Sequence, residues 1–582
     1  MPPERKGFCM LDLLQEALRD SALVQSFSGV RTCFGDSGRI SPAHGALAAV
    51  YGYCYARDLP EKDAPLVLAR DPRPSGPAIT QALVRGFLAA GCRRIVDLGV
   101  ITTPLAQAAV RSFEAGGGVI VTASHNPLSD NGWKFLTGLA GHRLGDAPAG
   151  ALLSAPRMER IVQSVAAVAT RVDASVERAI ESVSGEEAFT ALVRSGSRRV
   201  HTRAVDAYLE TVTNDWGLDV EALMRRPMGP VLLDPNGGAA SGVASAVLEA
   251  LGIRVYEMNA ELGRPSHPID TDSVNPETGE HILTRVARAV RSCEAQFGVA
   301  FDYDADRGNV VLPGDTSDAV VAPQEISALN VALALARVEA SGSGGRRVCV
   351  VASDATSGRV DQIAAQFGAE VHRVETGEVN VVTRMRQLFE EGALVPVGVE
   401  GPNGGTVFAG STCRDGVLTA LSCALAVSGE EATRIWREKS GHGAGTCALE
   451  ELLQTLPRWS TPAARVVLEN PGPHSEVKKQ MEERFRKEVW PRLATRFRDY
   501  RILNYEGTEC VDVRRGDEAG GWRVDLLRNG ECCFIFARGS RTEAGVWRVI
   551  ADSPDSEEAR LLLDVGQDLL RSVERAAVAG KD

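Results

Sequence analysis

Three times along this chain, a short apolar run leads directly into a polar loop whose side chains are capable of chemistry. The runs are 118–121, 297–301 and 395–399. Each is short and apolar enough to be a buried strand. In an open α/β sheet, the carboxyl ends of the strands form the edge where ligands bind. The pattern therefore predicts three α/β domains in succession, each presenting one loop at the edge of its sheet.

The segments around these runs alternate between strand and helix patterns. Before the first run, strands at 65–69 and 94–97 alternate with helices at 76–90 and 104–113. This alternation predicts right-handed βαβ units and a largely parallel sheet. After residue 450 the order changes to a charged helix, several strands and a final helix at 556–574. That order is typical of an α+β domain.

The fold expected is therefore α/β, with three successive related α/β domains with mixed, mostly parallel sheets, plus a C-terminal α+β domain. The length of 582 residues suits about four domains of about 150 residues each. We place their limits at 1–205, 206–318, 319–450 and 451–582. The segment 138–200 is helical and polar, and completes the first domain without a motif that we can interpret.

Composition narrows the classes of partner. A net charge of -12 disfavours nucleic acid or an anionic membrane as the main partner, although a local basic pocket for phosphate stays possible. The twelve cysteines are scattered without zinc-type pairs, which favours a reducing compartment. No apolar run is long enough to span a bilayer, and residues 1–20 have the leucine spacing of an amphipathic helix. We expect a cytoplasmic protein, and the sequence does not specify its oligomeric state.

The first polar loop runs from Thr122 to Pro127 and continues to Lys134. It brings a serine hydroxyl (Ser124), an imidazole (His125) and an ammonium group into one short stretch. An ordinary turn is the alternative, since Asn-Pro favours turns. A serine hydrolase is disfavoured because the G-x-S-x-G elbow is absent and no third residue can be assigned to orient the histidine.

The second loop places carboxylates at alternate positions, Asp302, Asp304 and Asp306. In extended backbone, alternate side chains share one face, so the three carboxylates could converge on one hard cation. A calcium EF-hand is excluded because its sixth position needs Gly, where this chain has Arg307, and its twelfth needs Glu, where it has Pro313. A solvated acidic turn is the remaining alternative.

Two later loops are rich in glycine or in hydrogen-bond donors. Residues 400–405 read Glu-Gly-Pro-Asn-Gly-Gly, which on their own indicate a turn more than a site. Residues 538–543 read Arg-Gly-Ser-Arg-Thr-Glu and offer hydroxyls, amides and two guanidinium groups. Such a loop can cradle a phosphate, with a turn as the alternative.

Taken in order, the four loops resemble those of the α-D-phosphohexomutases, the family of phosphoglucomutases, phosphomannomutases and phosphoglucosamine mutases. They resemble, in turn, the family's phosphoserine loop, its Asp-x-Asp-x-Asp-Arg magnesium loop, its sugar-recognition loop and its phosphate loop. The resemblance covers nearly the whole chain. Four positions depart from the family pattern: Tyr303 replaces the commonest glycine, Pro402 is an insertion, and Arg541 and Ala544 stand where Gly or Asn and Pro are usual.

The resemblance implies an isomerase, an intramolecular phosphotransferase. It would move phosphate between O1 and O6 of a hexose phosphate, glucose and/or mannose, through a phosphoserine and a bisphosphorylated sugar. The implied cofactors are Mg²⁺ and a hexose 1,6-bisphosphate as activator, and the implied partner is a small phosphosugar. The implied roles are catalysis by Ser124, His125, Lys134 and Arg31; metal binding by Ser124, Asp302, Asp304 and Asp306; and substrate binding by Arg307, Glu400, Asn403, Arg538, Ser540, Arg541 and Thr542.

In the reaction that the resemblance implies, either His125 or Lys134 would accept the proton of the sugar hydroxyl. Two other functions stay open. One is a phosphoglucosamine mutase, which performs the same chemistry on an amino sugar. The other is a phosphosugar-binding protein without catalysis, against which Ser124, Lys134 and the three aspartates argue.

Overall fold

A computed structural model describes residues 9–26, 28–144, 146–170, 175–225, 228–443, 445, 448–469, 472–511, 520–528, 530–540 and 545–579. The chain falls into two compact units. The first unit comprises Met1–Val321 and Phe408–Leu425. The second unit comprises Ala322–Val407 and Ala426–Asp582.

The first sheet has six strands in the order β1-β2-β6-β5-β3-β4. They are β1 (Val24–Ser26), β2 (Gly29–Cys33), β3 (Leu66–Arg70), β4 (Ile95–Val100), β5 (Gly117–Val121) and β6 (Asp130–Thr137). Strand β3 is parallel to β4 and β5, whereas β5 with β6, β6 with β2, and β2 with β1 are antiparallel. The loop from β5 to β6 is too short for a parallel crossover. Antiparallel pairs therefore outnumber parallel ones among the described strands of this sheet, unlike the expected mostly parallel arrangement.

Ten helices are described with this sheet. They are α1 (Met10–Leu18), α2 (Pro42–Asp58), α3 (Gly76–Ala89), α4 (Thr103–Ser112), α5 (Leu139–Arg143), α6 (Ala155–Thr170), α7 (Ser175–Glu181), α8 (Gly185–Ser195), α9 (Arg198–Asp215) and α10 (Val220–Met224). Helices α2 and α3 touch at Gly52 and Gly86, where an added Cβ would lie 2.4 and 2.1 Å from backbone oxygens of the partner helix. Only glycine permits so close an approach of the two helices, which pack against each other in the main core of the first unit.

The second sheet has the order β10-β9-β7-β8. Its strands and helices are β7 (Met228–Asp234), β8 (Ile253–Glu257), β9 (Gly298–Phe301), β10 (Gly308–Val311), α11 (Val243–Ala250) and α12 (Thr284–Ser292). Strand β7 is parallel to β8 and β9, and β10 is antiparallel to β9. Residues 302–307 therefore form the turn of a β-hairpin.

The third sheet has the order β12-β11-β13-β14, with β11 parallel to β12 and β13. Its strands are β11 (Val348–Ser353), β12 (Glu370–Val374), β13 (Leu394–Glu400) and β14 (Gly405–Phe408). The helices along this part of the chain are α13 (Pro323–Ser341), α14 (Arg359–Gln366), α15 (Glu378–Glu390), α16 (Gly416–Val427), α17 (Glu431–Lys439) and α18 (Leu449–Gln454).

The fourth sheet has the order β15-β20-β19-β18-β16-β17, and its pairs are all antiparallel among the described strands. Its elements are β15 (Ala463–Val467), β16 (Asp499–Glu506), β17 (Glu509–Val511), β18 (Trp522–Arg528), β19 (Glu531–Gly539), β20 (Val546–Asp552), α19 (His474–Arg484), α20 (Trp490–Leu493) and α21 (Ser556–Ala579). The predicted fold class, three α/β domains followed by an α+β domain, is confirmed.

Within the second unit, polar contacts join the fourth sheet to the third. The carboxylate of Asp552, at the end of β20, accepts hydrogen bonds from the Gly358 amide (2.7 Å) and the Thr461 hydroxyl (2.6 Å). Arg523 on β18 donates to the backbone oxygen of Asp354. Because Asp552 and Arg523 are both buried, these bonds hold the two sheets firmly together.

The predicted domain limits stay a proposal. The limit at 205 falls inside α9, and the two compact units each contain more than one sheet. In the described part of the chain, no helix combines the length and the apolar character that a membrane crossing requires.

Candidate active site

Ser124 lies in the loop between β5 and β6 and is buried. Its backbone is left-handed, with a φ of 51°, which residues other than glycine rarely adopt. Its amide donates to Thr122 Oγ1 (2.8 Å), and its hydroxyl donates to Asp302 Oδ2 (2.9 Å). The structure therefore places the predicted nucleophile directly against the first predicted metal ligand.

The three aspartates of the hairpin turn lie close together and are all buried. One carboxylate oxygen from each lies within 4.8 Å of the others. They converge because the chain turns tightly, with a φ of 58° at Ala305, and not because an extended backbone puts them on one face. Their burial rules out a solvated acidic turn.

Two carboxylate oxygens of this group, Asp304 Oδ1 and Asp306 Oδ1, are buried and have no hydrogen-bond partner among the described residues. Burial, reinforced by Asp306, raises the pKa of Asp302 to about 7. Unpaired buried carboxylate oxygens are costly unless a cation compensates them. The donor set, all oxygen and anionic, suits a hard divalent ion such as Mg²⁺.

Cationic side chains surround the three carboxylates. Lys134 Nζ lies 2.8 Å from Asp304 Oδ2, Arg307 Nε lies 3.1 Å from Asp302 Oδ2, and Arg414 Nη2 lies 2.6 Å from Asp306 Oδ2. Burial alone would raise the pKa of the Asp306 carboxyl, but these cations, Arg414 above all, hold it below its usual range. The centre therefore has fixed positive charges directed at one small region.

Lys134 does not lie in the Ser124 loop, as the sequence suggested, but on β6. Arg31 lies on β2, where it pairs with Gly132 of β6. Residues two apart on a strand share a face, so Arg31 and Lys134 are presented on the same side of the sheet. Burial lowers the pKa of Arg31, while Asp304 and Asp306 act to raise it.

His125 lies between the nucleophile and a cation. Its Nδ1 is 3.5 Å from Ser124 Oγ and 2.5 Å from Arg307 Nη2. The charge of Arg307, helped by burial, holds the pKa of His125 well below its usual value. The imidazole is therefore neutral, with Nδ1 accepting a hydrogen bond.

Two arginines of this site are absent from the predicted set. Arg73 donates to the backbone oxygen of Ser124 (2.7 Å), and Arg414 pairs with Asp306 as described above. The neighbour of Arg414, Asp415, is held by the Tyr208 hydroxyl (2.7 Å), which fixes this segment. The Arg-Asp-Gly sequence at 414–416 could have identified Arg414 as a site residue. Arg73 lies in a Pro-rich turn after a strand, and the sequence of that turn does not indicate a site.

In the second unit, Glu400 ends β13 and is buried. The next amide, of Gly401, donates to Thr356 Oγ1 (3.0 Å) on the neighbouring loop. Asn403 Oδ1 accepts from the Gly405 amide (2.9 Å), so this side chain shapes its own loop. The inserted Pro402 lies in a short 3₁₀ turn, Gly401–Asn403.

The phosphate-loop residues lie at the end of β19 in the same unit. The positive charge of Arg538 acts on the buried Asp354, whose pKa is raised by burial. Asp354 follows β11 and Glu400 ends the adjacent parallel strand β13, so this unit brings Arg538 toward the sheet edge that carries Glu400. The Ser540 amide donates to the Val546 oxygen (2.7 Å). The predicted residues Arg541 and Thr542 lie outside the described residues.

One other group of potential metal ligands occurs in the described part of the chain: Cys349, Glu370 and His372. Arg347 Nη1 lies 3.4 Å from Glu370 Oε2, and Arg384 Nη2 lies 3.4 Å from His372 Nδ1. Glu370 and His372 are therefore already paired with arginines.

Comparison with known proteins matches three family models to successive parts of the chain. The phosphoglucomutase/phosphomannomutase alpha/beta/alpha domains I, II and III match residues 28–147, 206–314 and 328–442. A phosphoglucomutase/phosphomannomutase from Thermococcus kodakarensis is 29% identical over 523 residues, covering 88% of this chain and 90% of the relative. A phosphoglucosamine mutase from Chelativorans sp. is 31% identical over 363 residues, covering 61% of this chain and 68% of the relative.

Solved structures share the fold. A phosphoglucomutase/phosphomannomutase family protein from Burkholderia thailandensis superposes with a TM-score of 0.61 at 18% identity, covering 95% of this chain and 97% of that one. The open form of parafusin, a phosphoglucomutase from Paramecium, gives a TM-score of 0.61 at 17% identity, covering 95% of each chain.

Proposed function

This chain belongs to the phosphoglucomutase/phosphomannomutase family of the α-D-phosphohexomutases, and from this premise we propose that it interconverts hexose 1-phosphate and hexose 6-phosphate, with glucose or mannose as the sugar. The family's enzymes are isomerases that transfer a phosphoryl group within one substrate. The observation that carries the proposal is the contact of Ser124 Oγ with Asp302 Oδ2 (2.9 Å) inside a buried centre of carboxylates and cations.

A magnesium ion fits this centre, because two of its buried carboxylate oxygens, Asp304 Oδ1 and Asp306 Oδ1, have no hydrogen-bond partner among the described residues. Asp302, Asp304, Asp306 and Ser124 would hold the ion, which would neutralise the charge of the phosphoryl group in transfer. This assignment of ligands is part of the proposal.

The protein's own charges prepare the centre for a phosphorylated serine. Four cationic groups, Arg31, Lys134, Arg307 and Arg414, act on three carboxylates. The roughly two negative charges of a phosphoserine are offset by the two positive charges of the bound ion. Loading the site would therefore leave its net charge unchanged.

In the proposed reaction, the sugar hydroxyl attacks the phosphorus on Ser124. The new P–O bond forms to the sugar, the P–O bond to Ser124 breaks, and the hydroxyl proton passes to a base. Lys134 already pairs with Asp304 at 2.8 Å, whereas His125 Nδ1 lies 3.5 Å from Ser124 Oγ. Each of the two groups has a partner at present, Arg307 for His125 and Asp304 for Lys134, and either of them would accept the proton.

The bisphosphorylated sugar then reorients and returns its other phosphate to Ser124. Glu400 and Asn403 would hold the ring hydroxyls, while Arg538 and Ser540, with Arg541 and Thr542, would hold the phosphate that does not react. Arg307 would add a further contact to substrate. A trace of hexose 1,6-bisphosphate would phosphorylate Ser124 and start the cycle, and we expect this to happen in the cytoplasm.

A phosphoglucosamine mutase is the second candidate, favoured by the 31% identity to such an enzyme. Coupled assays on glucose, mannose and glucosamine 1-phosphates, each with a trace of its bisphosphate, separate the two. The proposal expects turnover of the glucose or mannose substrate to exceed that of glucosamine 1-phosphate. The reverse order would favour the second candidate, and no turnover with no phosphate on Ser124 by intact mass would indicate a binding protein.

A further inference from the structure

Arg73 lies directly under the Ser124 loop and is fully buried. The five N–H groups of its guanidinium all have acceptors. Nε donates to Asp71 Oδ2 (3.0 Å), and the two terminal nitrogens donate to backbone oxygens of a single loop. Those oxygens belong to Ser124, Asn126, Pro127 and Asp130. One side chain therefore determines the course of the loop that carries the nucleophile.

Asp71 is also linked to Ser124 by hydrogen bonds through Thr122. The Ser124 amide donates to Thr122 Oγ1 (2.8 Å), and that hydroxyl donates to Asp71 Oδ2 (2.7 Å), the oxygen that also accepts Arg73 Nε. The buried pair of Asp71 and Arg73 thus holds both the amide and the carbonyl of Ser124. A left-handed serine is strained, and such a conformation persists only where its surroundings fix it.

The face of Tyr303 covers Arg73. The guanidinium carbon lies 5.2 Å from the centre of the ring, and the ring is buried. The Tyr303 hydroxyl is buried without a hydrogen-bond partner among the described residues, so the aromatic face makes the contact. Because Tyr303 lies between Asp302 and Asp304, it connects the aspartate turn to the residue that holds the serine loop.

We propose that Arg73 is the positioning residue that sets the backbone of Ser124 for phosphoryl transfer, and that the Tyr303 ring keeps Arg73 in place. This inference rests on the proposed function, since it concerns the transfer at Ser124. A lysine at position 73 would keep the charge but would present only three N–H groups from one nitrogen, too few for four carbonyls and a carboxylate. The positive charge of a lysine therefore cannot replace the planar guanidinium group of Arg73.

The test compares wild-type protein with R73K, Y303F and Y303L. Single-turnover phosphorylation of Ser124 by labelled glucose 1,6-bisphosphate is measured beside kcat and KM for the hexose 1-phosphate. We expect R73K to slow phosphorylation about a hundredfold, as for a nucleophile displaced by about 1 Å, with KM within about threefold. Y303F should match wild type, and Y303L should be about three- to thirtyfold slower. R94K, at an arginine outside the site, is the matched control.

The outcomes separate this inference from the function itself. A wild-type protein that takes up no label would contradict the proposed function. If the wild type is labelled and R73K is labelled at the same rate, the inference is overturned. It is also overturned if R73K raises KM as much as it lowers kcat, which indicates a general structural role. If R73K does not fold, equal rates for Y303F and Y303L overturn it, and a slower Y303L supports it.

Discussion

The two units hold their candidate site residues in different ways. At the aspartate turn of the first unit, side chains hold side chains: Lys134, Arg307 and Arg414 each contact one of its buried carboxylates. In the sugar and phosphate loops of the second unit, the described bonds position backbone, as at the amides of Gly401, Gly405 and Ser540. The aspartate turn is fixed by paired charges, and the loops of the second unit are fixed by hydrogen bonds to their backbone.

Two of the positions that depart from the family pattern lie among the described residues. Pro402 lies in the sugar loop of the second unit and Tyr303 at the charged centre, whereas Arg541 and Ala544 fall outside the described residues. A substitution in an interlocked charge network leaves a buried partner unpaired, which costs about 3–5 kcal/mol. A loop shaped by backbone bonds tolerates new side chains.

The largest effect is expected for Ser124→Ala, which removes the group that stores the phosphoryl between two transfers. Mutase activity should fall by on the order of 10⁴-fold or more, with hexose phosphate still bound by the second unit. Labelling with the bisphosphate and calorimetric binding measure the two effects. Ser129→Ala, in the same loop, is the control and should be labelled normally. Near-native turnover of the Ser124 variant would mean that the serine is only a turn residue.

Asp304→Asn should be the next most damaging. Loss of one carboxylate leaves Lys134 without its closest partner and weakens the cation site, so turnover should fall about 10²- to 10³-fold. Turnover measured against Mg²⁺ concentration tests this. Glu370→Gln, in the second group of potential ligands, should leave the Mg²⁺ dependence unchanged. Wild-type turnover of the Asp304 variant at limiting Mg²⁺ would contradict the assignment.

Arg538→Ala probes the second unit and should act mainly on KM. One lost charged hydrogen bond is worth about 1.5–3 kcal/mol, or about ten- to a hundredfold. Arg548, the exposed cross-strand partner of Arg538, supplies a matched control, because Arg548→Ala removes an equal charge from the same sheet. Equal KM values for both variants would remove Arg538 from the site.

The smallest effect is expected for Asn403→Ala, which removes one bond that shapes the sugar loop. About 1 kcal/mol is lost, so KM should rise about fivefold while kcat is nearly unchanged. Steady-state kinetics are sufficient to measure this. A fall in kcat as large as that of Asp304→Asn would show that the contrast between the two units does not hold.

Much of this architecture could be predicted because it depends on local sequence. Strand and helix periodicity identified β3, β4, β5, β9 and β13, and the loops after β5, β9 and β13 contain the residues expected from their spacing. The long helix α13 was not predicted. Its residues 328–336 are all buried, so it shows little of the apolar and polar alternation that marks a helix at a surface.

The parts that could not be predicted depend on contacts distant in sequence. Lys134 lies on β6, and its role follows from an ion pair with Asp304, 170 positions away. Arg73 contacts residues more than 50 positions away, and nothing in its own turn indicates them. The aspartates were correctly grouped but for a wrong reason, since a turn with a left-handed Ala305 brings them together.

The bonds of Asp552 and Arg523 also bear on how this protein could recombine with its relatives. The chain enters the second unit at Ala322, returns to the first for Phe408–Leu425, and ends in the second. A crossover near residue 450 would separate Asp552 from Gly358 and Arg523 from Asp354, and would bury unmatched polar groups at a new junction. A chimera that exchanges 322–407 together with 426–582 keeps these pairs. In gene shuffling, the third and fourth sheets should therefore be exchanged together.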